Sequence, residues 1–408
     1  MDMKQDKQSS MNLSRRAFVA GSAAASFVAL APRTVFGFEA NSRIKAGIIG
    51  LGGRGRMIAS MVRDHGGFQV TAVADYFRHL AEGGGGQFGL PKEACFSGLA
   101  GYRGLVASGV EAVFLETPPY CFPDHAEAAV EAGCHVYMAK PVACDVAGCN
   151  RILEAANRAA SKRRGFMVDF QTRTEPINIE VIKKLHEGAA GPVGLLSSIY
   201  ADESFPDPPK TANAESRLQG LVWVNDDDLG GGYLVNAGIH AVDVALWMAG
   251  AVPVSAVGRS RRARSAPNGD SHDVYSITYE FADGLVLNHR GEHLPNQHGF
   301  TCNCVAYGAS GFAEGTYDGQ ARLLVKEGEG AAGEVKGLYE RGAQKNIAAF
   351  EKQLRAGNCD NTTVAPSVNA TLATILGREA GMRGERVTWD AMMQENRRLE
   401  PDLSGLTL

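Results

Sequence analysis

Gly50-Leu51-Gly52-Gly53-Arg54-Gly55 lies between a short apolar run and a helical pattern, and nothing else in the chain restricts its fold as strongly. In a turn of this G-x-G-x-x-G type, the first glycine permits the tight bend. The second lets backbone approach a pyrophosphate, and the third lets the helix pack on the strand. The run from Lys45 to Gly50 reads as a buried strand, about Arg56 to His65 as a helix, and Phe68 to Ala74 as a second strand. An acid, Asp75, closes that second strand. A carboxylate there accepts hydrogen bonds from ribose hydroxyls, which favours NAD over NADP. Arg54, Arg56 and Arg78 lie near enough in sequence to receive a 2′-phosphate instead. A glycine-rich turn in an α/β fold without any cofactor is the plainer alternative.

The alternation continues past this turn. Ala112–Leu115, His135–Met138 and Phe166–Phe170 read as strands, with helices over Asp124–Ala132 and Ala147–Ala160 between them. Strands and helices alternating at this spacing imply parallel strands joined by crossover helices. Residues 43–171 are therefore expected to form an N-terminal Rossmann domain that binds NAD or NADP. From there to residue 408 the pattern changes. After a helix over about Asn178–Glu187, the stretches Val193–Ala201, Ser255–Ser260, Val274–Phe281, Leu285–Arg290 and Thr301–Tyr307 are β-rich, and Ala282-Asp283-Gly284 signals a hairpin. Residues 172–408 are expected to form a second α/β domain with an open, mostly antiparallel sheet. Asp202 to Gly220, rich in Pro, Asp and Ser, reads as a long loop. The glycine cluster Gly83–Gly86 suggests tight turns or close backbone approach.

The first 40 residues have a different character. Arg15-Arg16 precedes an Ala-rich apolar run ending near Ala31, too short for a comfortable membrane span. A basic start, a short apolar stretch and small residues describe a signal peptide, and the paired arginines resemble the twin-arginine type. The expectation is a periplasmic or otherwise exported protein, handled by the twin-arginine machinery, whose mature chain does not insert stably in a membrane. Proteins exported already folded can carry a cofactor acquired beforehand. Lys and Arg (41) are outnumbered by Asp and Glu (45) and are scattered, so a nucleic-acid partner is not expected. The eight cysteines show no zinc-type spacing, and no metal site is expected. Most are expected to be small buried hydrophobes, with one or two disulfides left open by an oxidising destination.

Two further segments carry chemistry. Lys140-Pro141 follows a parallel strand, at the carboxyl edge where such sheets bind ligands. Thr117-Pro118-Pro119 stands at the equivalent edge of the preceding strand, with His125 soon after. On a continuous helix, Asn236, His240, Asp243 and Trp247 would share one face. A polar stripe on an otherwise apolar helix needs partners. His240 is a candidate proton acceptor, and Asp243 a group that orients it or caps a neighbouring strand. A surface lysine and a satisfied core histidine are the bland alternatives.

With these residues in order, the chain from about Arg43 onward resembles the Gfo/Idh/MocA family of oxidoreductases. The resemblance rests on the glycine-rich turn, Thr117-Pro118-Pro119, and Ala132-Gly133-x-His135-Val136 ahead of Lys140-Pro141. It continues through Asp169-Phe170-Gln171-Thr172-Arg173, Gly191-Pro192-Val193-Gly194, Gly230–Gly232 with Gly238-x-His240-x-x-Asp243-x-x-x-Trp247, and Val387-Thr388-Trp389-Asp390. It implies hydride transfer through NAD(P) on a sugar or polyol, and a homodimer or homotetramer built on the open sheet. Two positions depart from the family pattern. Ala139 replaces the usual Glu before Lys140, and Asn236 replaces the usual acid four residues before His240. Asn236 can bind a substrate hydroxyl but cannot act as a base, which leaves His240 as the acid/base and Lys140 to position and polarise. The cofactor contacts implied are Gly50, Gly52, Gly53, Arg54, Gly55, Asp75, Thr117, Pro118 and Lys140. Arg173, Asp243, His272 and Tyr275 are candidate substrate contacts, in a polar group that also includes Asp273, His289, Arg290 and His293. Two alternatives share this site: cleavage or isomerisation of a glycoside with a bound, recycled dinucleotide, and a non-catalytic sugar- or dinucleotide-binding protein.

Overall fold

The computed structural model describes residues 43–203, 205, 207, 214–219, 222–264 and 269–408. The expected signal segment, residues 1–40, lies outside them.

The first sheet grows from the apolar runs read in the sequence. Strand β1 (Ile44–Ile49) is central, buried on both faces, and pairs in parallel with β2 (Phe68–Asp75) and β4 (Ala112–Leu115). The short β3 (Cys95–Ser97) lies outside β2, while β5 (His135–Ala139) and β6 (Phe166–Asp169) extend the other side. The resulting order is β3-β2-β1-β4-β5-β6, all parallel. The order reverses between β1 and β4, and crevices at such switch points bind ligands. Helix α1 (Gly53–His65) begins directly after the turn and ends at Gly66, which adopts a left-handed conformation.

The glycine cluster proved helical. Helix α2 (Arg78–Gln87) contains Gly83–Gly86, because two of those positions admit no side chain. A Cβ on Gly84 would lie 2.8 Å from Leu51, and one on Gly85 2.2 Å from the Cys95 sulfur. Close approach was the correct half of that expectation, and the tight turn was not. Helices α3 (Gly101–Ala107), α4 (Phe122–Glu131) and α5 (Val146–Ser161) complete the crossovers, α5 being capped by the Asp145 side chain accepting from Gly148 N.

Helix α6 (Pro176–His186) leads to a nine-stranded sheet. Its strands are β7 (Val193–Asp202), β8 (Ser255–Arg261), β9 (Val274–Glu280), β10 (Val286–His293), β11 (Thr301–Gly308), β12 (Gly311–Thr316), β13 (Gly319–Val325), β14 (Ala331–Val335) and the two-residue β15 (Val387–Thr388). The order is β14-β13-β12-β11-β7-β10-β9-β8-β15, antiparallel except where β10 pairs in parallel with β7. Of the region expected to be a loop, Ala214–Arg217 forms a helical turn, and just beyond it Val222–Asn225 forms a 3-10 turn.

Helix α7 (Ile239–Ala249) packs on the inner face of this sheet, as does the 20-residue α9 (Val364–Arg383). Helix α8 (Leu338–Arg355) instead returns to the first sheet. Its Ala343, Ile347 and Phe350 share a core with Ile48, Phe114 and Tyr137. Residues late in the sequence thus cover one face of the dinucleotide-type sheet. The final helix, α10 (Trp389–Glu395), follows β15.

Candidate functional site

The carboxyl ends of β1, β2 and β4 open into a cleft of about 360 Å³. That falls within the span of ordinary ligand pockets, about 300–1000 Å³. Gly50, Gly52, Asp75, Thr117 and Pro118 line it, with Tyr76, Phe77, His79, Glu116, Tyr120 and His125. Gly50 has φ +94°, and a Cβ there would touch the Glu116 backbone at 2.7 Å. A Cβ on Gly55 would lie 1.9 Å from the Gly50 carbonyl oxygen, whereas Gly52 and Gly53 face open space. The turn is therefore closed where it packs and open where phosphates would sit, beside the uncapped amides of α1. These residues fit a dinucleotide.

Asp75 sits where the sequence placed it. Its Oδ2 accepts from Leu51 N at 2.7 Å and its Oδ1 from Phe77 N at 2.9 Å, so the carboxylate is fixed at the cleft wall. Each oxygen keeps a second lone pair for a ribose hydroxyl. Thr117 Oγ1 lies 3.3 Å from His125 Nδ1. Of the arginines considered for a 2′-phosphate, Arg78 is exposed and lies 3.8 Å from Glu82, and Arg56 is exposed.

Arg54 is the main departure among the cofactor candidates. Its side chain turns inward, with Nε 3.2 Å from Glu116 and Nη2 bonded to Asp169, under the ring of Tyr339. Asp169 is fully buried and also accepts from Gln171 Nε2 at 2.8 Å and Asn346 Nδ2 at 2.7 Å. Two buried carboxylates compete for the guanidinium more directly than a solvent-facing phosphate, which the sequence spacing alone does not reveal.

Lys140, immediately after β5, donates from Nζ to the Asn236 carbonyl at 2.6 Å. Burial and the nearby Arg54 charge push its pKa down to about 7. Asn236 and His240 stand on neighbouring turns, but not on one regular helix: residues Leu234–Gly238 form a π-helical turn that passes into α7. The expected four-residue face is broken there, and the extra residue brings the Asn236 carbonyl to Lys140. His240 is 8% exposed and its Nδ1 has no hydrogen-bond partner. Burial first, then the Lys140 and Arg54 charges, lower its pKa well below the usual value, so the ring is neutral. Aromatic rings surround it: Tyr317 at 4.8 Å, Phe170 at 6.2 Å and Tyr200 at 6.4 Å between centroids. The sequence does not point to Tyr200 or Tyr317, because Tyr200 comes from β7 and Tyr317 from the β12–β13 turn, whose placement beside α7 is tertiary.

Asp243 does not orient His240. It binds Arg173 in bidentate fashion at 2.8–3.1 Å, and the guanidinium lies 5.0 Å over Trp247. Arg173, Asp243 and Trp247 form one unit, and the remaining guanidinium donors stay free for a ligand. The other substrate candidates are elsewhere. Tyr275 is fully buried in the core, with the Tyr233 and His272 rings as neighbours, and His272 Nδ1 lies 2.7 Å from Ser260 Oγ. His289 pairs with Ser198 Oγ at 2.9 Å, and His293 stacks on Tyr233 at 4.5 Å. All eight cysteines are free thiols, five of them buried. Among the described residues, no group of three or more His, Cys, Asp or Glu is placed to hold a metal ion, and no helix is long and apolar enough to cross a membrane.

A glycine-rich βα turn at a sheet's switch point, an acid at the second strand and a lysine at the fifth define an NAD(P)-binding oxidoreductase of two sheets. Residues 44–169 match the Gfo/Idh/MocA oxidoreductase family's NAD-binding Rossmann fold, and residues 180–313 match a C-terminal domain of the same family. The chain belongs to that family, and it is an enzyme. It is 25% identical over 351 residues to inositol 2-dehydrogenase 4 of Saccharopolyspora erythraea, covering 85% of this chain and 96% of that one. Its fold is similar to that of aldose-aldose oxidoreductase from Caulobacter crescentus complexed with glycerol (TM-score 0.69, 21% identity, 85% and 100% coverage). It is similar also to an inositol dehydrogenase homolog complexed with NAD+ from Azotobacter vinelandii (TM-score 0.71, 16% identity, 85% and 97% coverage).

Proposed function

We propose that this enzyme oxidises or reduces a carbinol carbon of a sugar or polyol, using NAD in preference to NADP. The observation that carries the reading is Lys140 held by the Asn236 carbonyl of the π turn that leads into α7, where a buried, neutral His240 keeps an unpartnered Nδ1. A bound nicotinamide dinucleotide supplies the hydride donor or acceptor. Asp75 holds the adenosine ribose, Gly50, Gly52, Gly53 and Gly55 with Thr117 and Pro118 shape the cleft, and Arg54 braces its floor. Lys140 donates a hydrogen bond to the reacting hydroxyl, and His240 takes or returns that hydroxyl's proton at its unpartnered Nδ1. The Asn236 side chain and the Arg173–Asp243 unit are placed to bind further hydroxyls. Residues 43–171 carry the cofactor and 172–408 the substrate, apart from α8.

A cofactor kept between turnovers is favoured by the apolar lining that Leu218, Trp223, Leu229 and Leu403 add to the cleft. With retained dinucleotide the same residues support a self-recycling reaction, in which a transient keto-sugar permits exchange, isomerisation or loss of a glycosidic substituent. Export through the twin-arginine pathway after the cofactor is loaded is part of this reading, resting on Arg15-Arg16 and the apolar run behind them. So is a homodimer or homotetramer, supported by the exposed Val257, Tyr307 and Leu324 of the nine-stranded sheet.

The test is to denature protein purified without added cofactor, identify any released dinucleotide by mass spectrometry, and follow nicotinamide absorbance on adding polyols and sugars. Near-stoichiometric NAD and a substrate-dependent absorbance change support the proposal. A chain that neither retains nor binds NAD(H) or NADP(H) overturns it.

A further inference from the structure

Glu116 is a buried carboxylate that the proposed chemistry does not use. It follows β4 and lines the cleft, with its side chain 1% exposed. Neither oxygen accepts a hydrogen bond, although Arg54 Nε lies 3.2 Å from Oε2. Burial and the Asp169 charge raise its pKa to about 7 against the opposing Arg54 and Lys140 charges. A buried acid that shares its one counter-charge with a second carboxylate is costly, so its retention in the cleft floor calls for a further counter-charge or a task.

The sheet register shows which charge it faces. β4 pairs in parallel with β5, with Leu115 opposite Met138, so the next residues along the two strands are Glu116 and Ala139. Ala139 immediately precedes Lys140 and is the position at which this chain lacks the family's usual glutamate. The carboxylate absent at Ala139 thus has a counterpart one strand over, at the register position opposite Ala139.

We infer that Glu116 is the positioning residue for Lys140, a carboxylate at the end of β4 that takes the place of the acid missing at Ala139 and favours the charged Lys140 ammonium. The inference rests on the reading of Lys140 as the hydroxyl-binding group. The charged and titratable groups facing Lys140 are Arg54 from α1, Glu116 from the end of β4, Asp169 from β6, Cys302 from β11 and His240 from α7, with the Asn236 carbonyl accepting directly. Arg54 divides its charge between Glu116 and Asp169, which fixes the Glu116 side chain without fully neutralising the pair of acids.

The experiment is competitive acetylation of the full chain with limiting acetic anhydride across a pH series, reading Lys140 by mass spectrometry. Glu116→Gln, which keeps the shape and removes the charge, is expected to move the Lys140 midpoint down by about one unit or more, the usual effect of losing an adjacent opposite charge. The exchange Glu116→Ala with Ala139→Glu conserves volume and is expected to return the midpoint toward the wild-type value. Should Glu116→Gln not fold, Glu116→Asp keeps the charge but withdraws it, and a smaller downward shift is expected. A midpoint unmoved by these single substitutions, or one the exchange does not restore, overturns the assignment. Labelling needs neither cofactor nor turnover, so its outcome is separate from that of the oxidoreductase reading.

Discussion

At the scale of single residues, the site depends on which of its buried groups are charged. Burial and the Arg54 charge push the Lys140 pKa down to about 7, so the ammonium keeps its proton below that pH and loses it above. His240 stays neutral because burial lowers its proton affinity. The expected profile of kcat/KM is therefore a fall as pH rises through about 7, with no acid limb from His240. A profile flat between about pH 6 and 9 would remove Lys140 from the donor role. Replacing His240 by Asn should lower kcat by roughly 10²- to 10⁴-fold with NAD affinity retained, measured by turnover beside calorimetric binding. Asp75→Ala removes an acceptor already aligned by two backbone amides. Hydrogen bonds to charged groups contribute ~1.5–3 kcal/mol, so NAD affinity should weaken by roughly 10- to 100-fold, with NADP affected less. Equal weakening of both would place the ribose elsewhere.

At the scale of elements, the cleft owes its outer edge to a segment far along the chain. Leu99 N donates to the Thr407 carbonyl at 2.9 Å, Thr407 N donates to Tyr76 Oη at 3.2 Å, and Leu403 lines the cleft. A Cβ on Gly98 would lie 2.4 Å from the Leu408 carbonyl, so the close approach there requires glycine. Deleting residues 402–408 should raise the NAD dissociation constant about tenfold, chiefly through faster release, as stopped-flow fluorescence would show. Unchanged release would mean that this strap does not retain the cofactor. The π turn at Leu234–Gly238 is the other decisive element. Such turns insert one extra residue into a helix and often occur at functional sites. Here the insertion aims a backbone carbonyl at Lys140, and Asn236 contributes through its main chain as well as its amide.

At the scale of the whole molecule, the two sheets are joined by helices that do not respect the order of the sequence. Phe350 on α8 is fully buried, with Phe68, Phe114 and Tyr137 rings at 5.6–6.2 Å. Truncating it to Ala should cost ~3–5 kcal/mol, measured by urea titration, because the cavity opens in the dinucleotide-type core itself. A loss below about 1 kcal/mol would mean that the core collapses around the gap or that α8 is peripheral. The same return of the chain explains the fate of Arg54, since Asn346 and Tyr339 on α8 help enclose Asp169 and the guanidinium.

The periodic runs around Gly50–Gly55, the acid at Asp75, and Lys140 at a strand end were legible because local geometry alone decides them. A glycine-rich turn between strand and helix admits few conformations, and strand alternation with helices dictates a parallel sheet. Gly83–Gly86 and the stripe from Asn236 to Trp247 were legible only in part. Whether glycines turn or pack depends on what lies opposite, and here it was Leu51 and Cys95. Helices α8 and α9 went unread because the surfaces they cover come from distant segments, whereas strands β12–β14 went unread although each pairs with a neighbour in sequence. What the sequence determined by itself was the Rossmann half, with its glycine-rich turn and the acid that closes its second strand, through short-range sterics and period. The tertiary structure decided which charges face one another: Arg54 with Glu116 and Asp169, Asp243 with Arg173, Lys140 with the Asn236 carbonyl. Electrostatic pairing across tens or hundreds of residues is set by packing of the whole chain, and no local pattern encodes it.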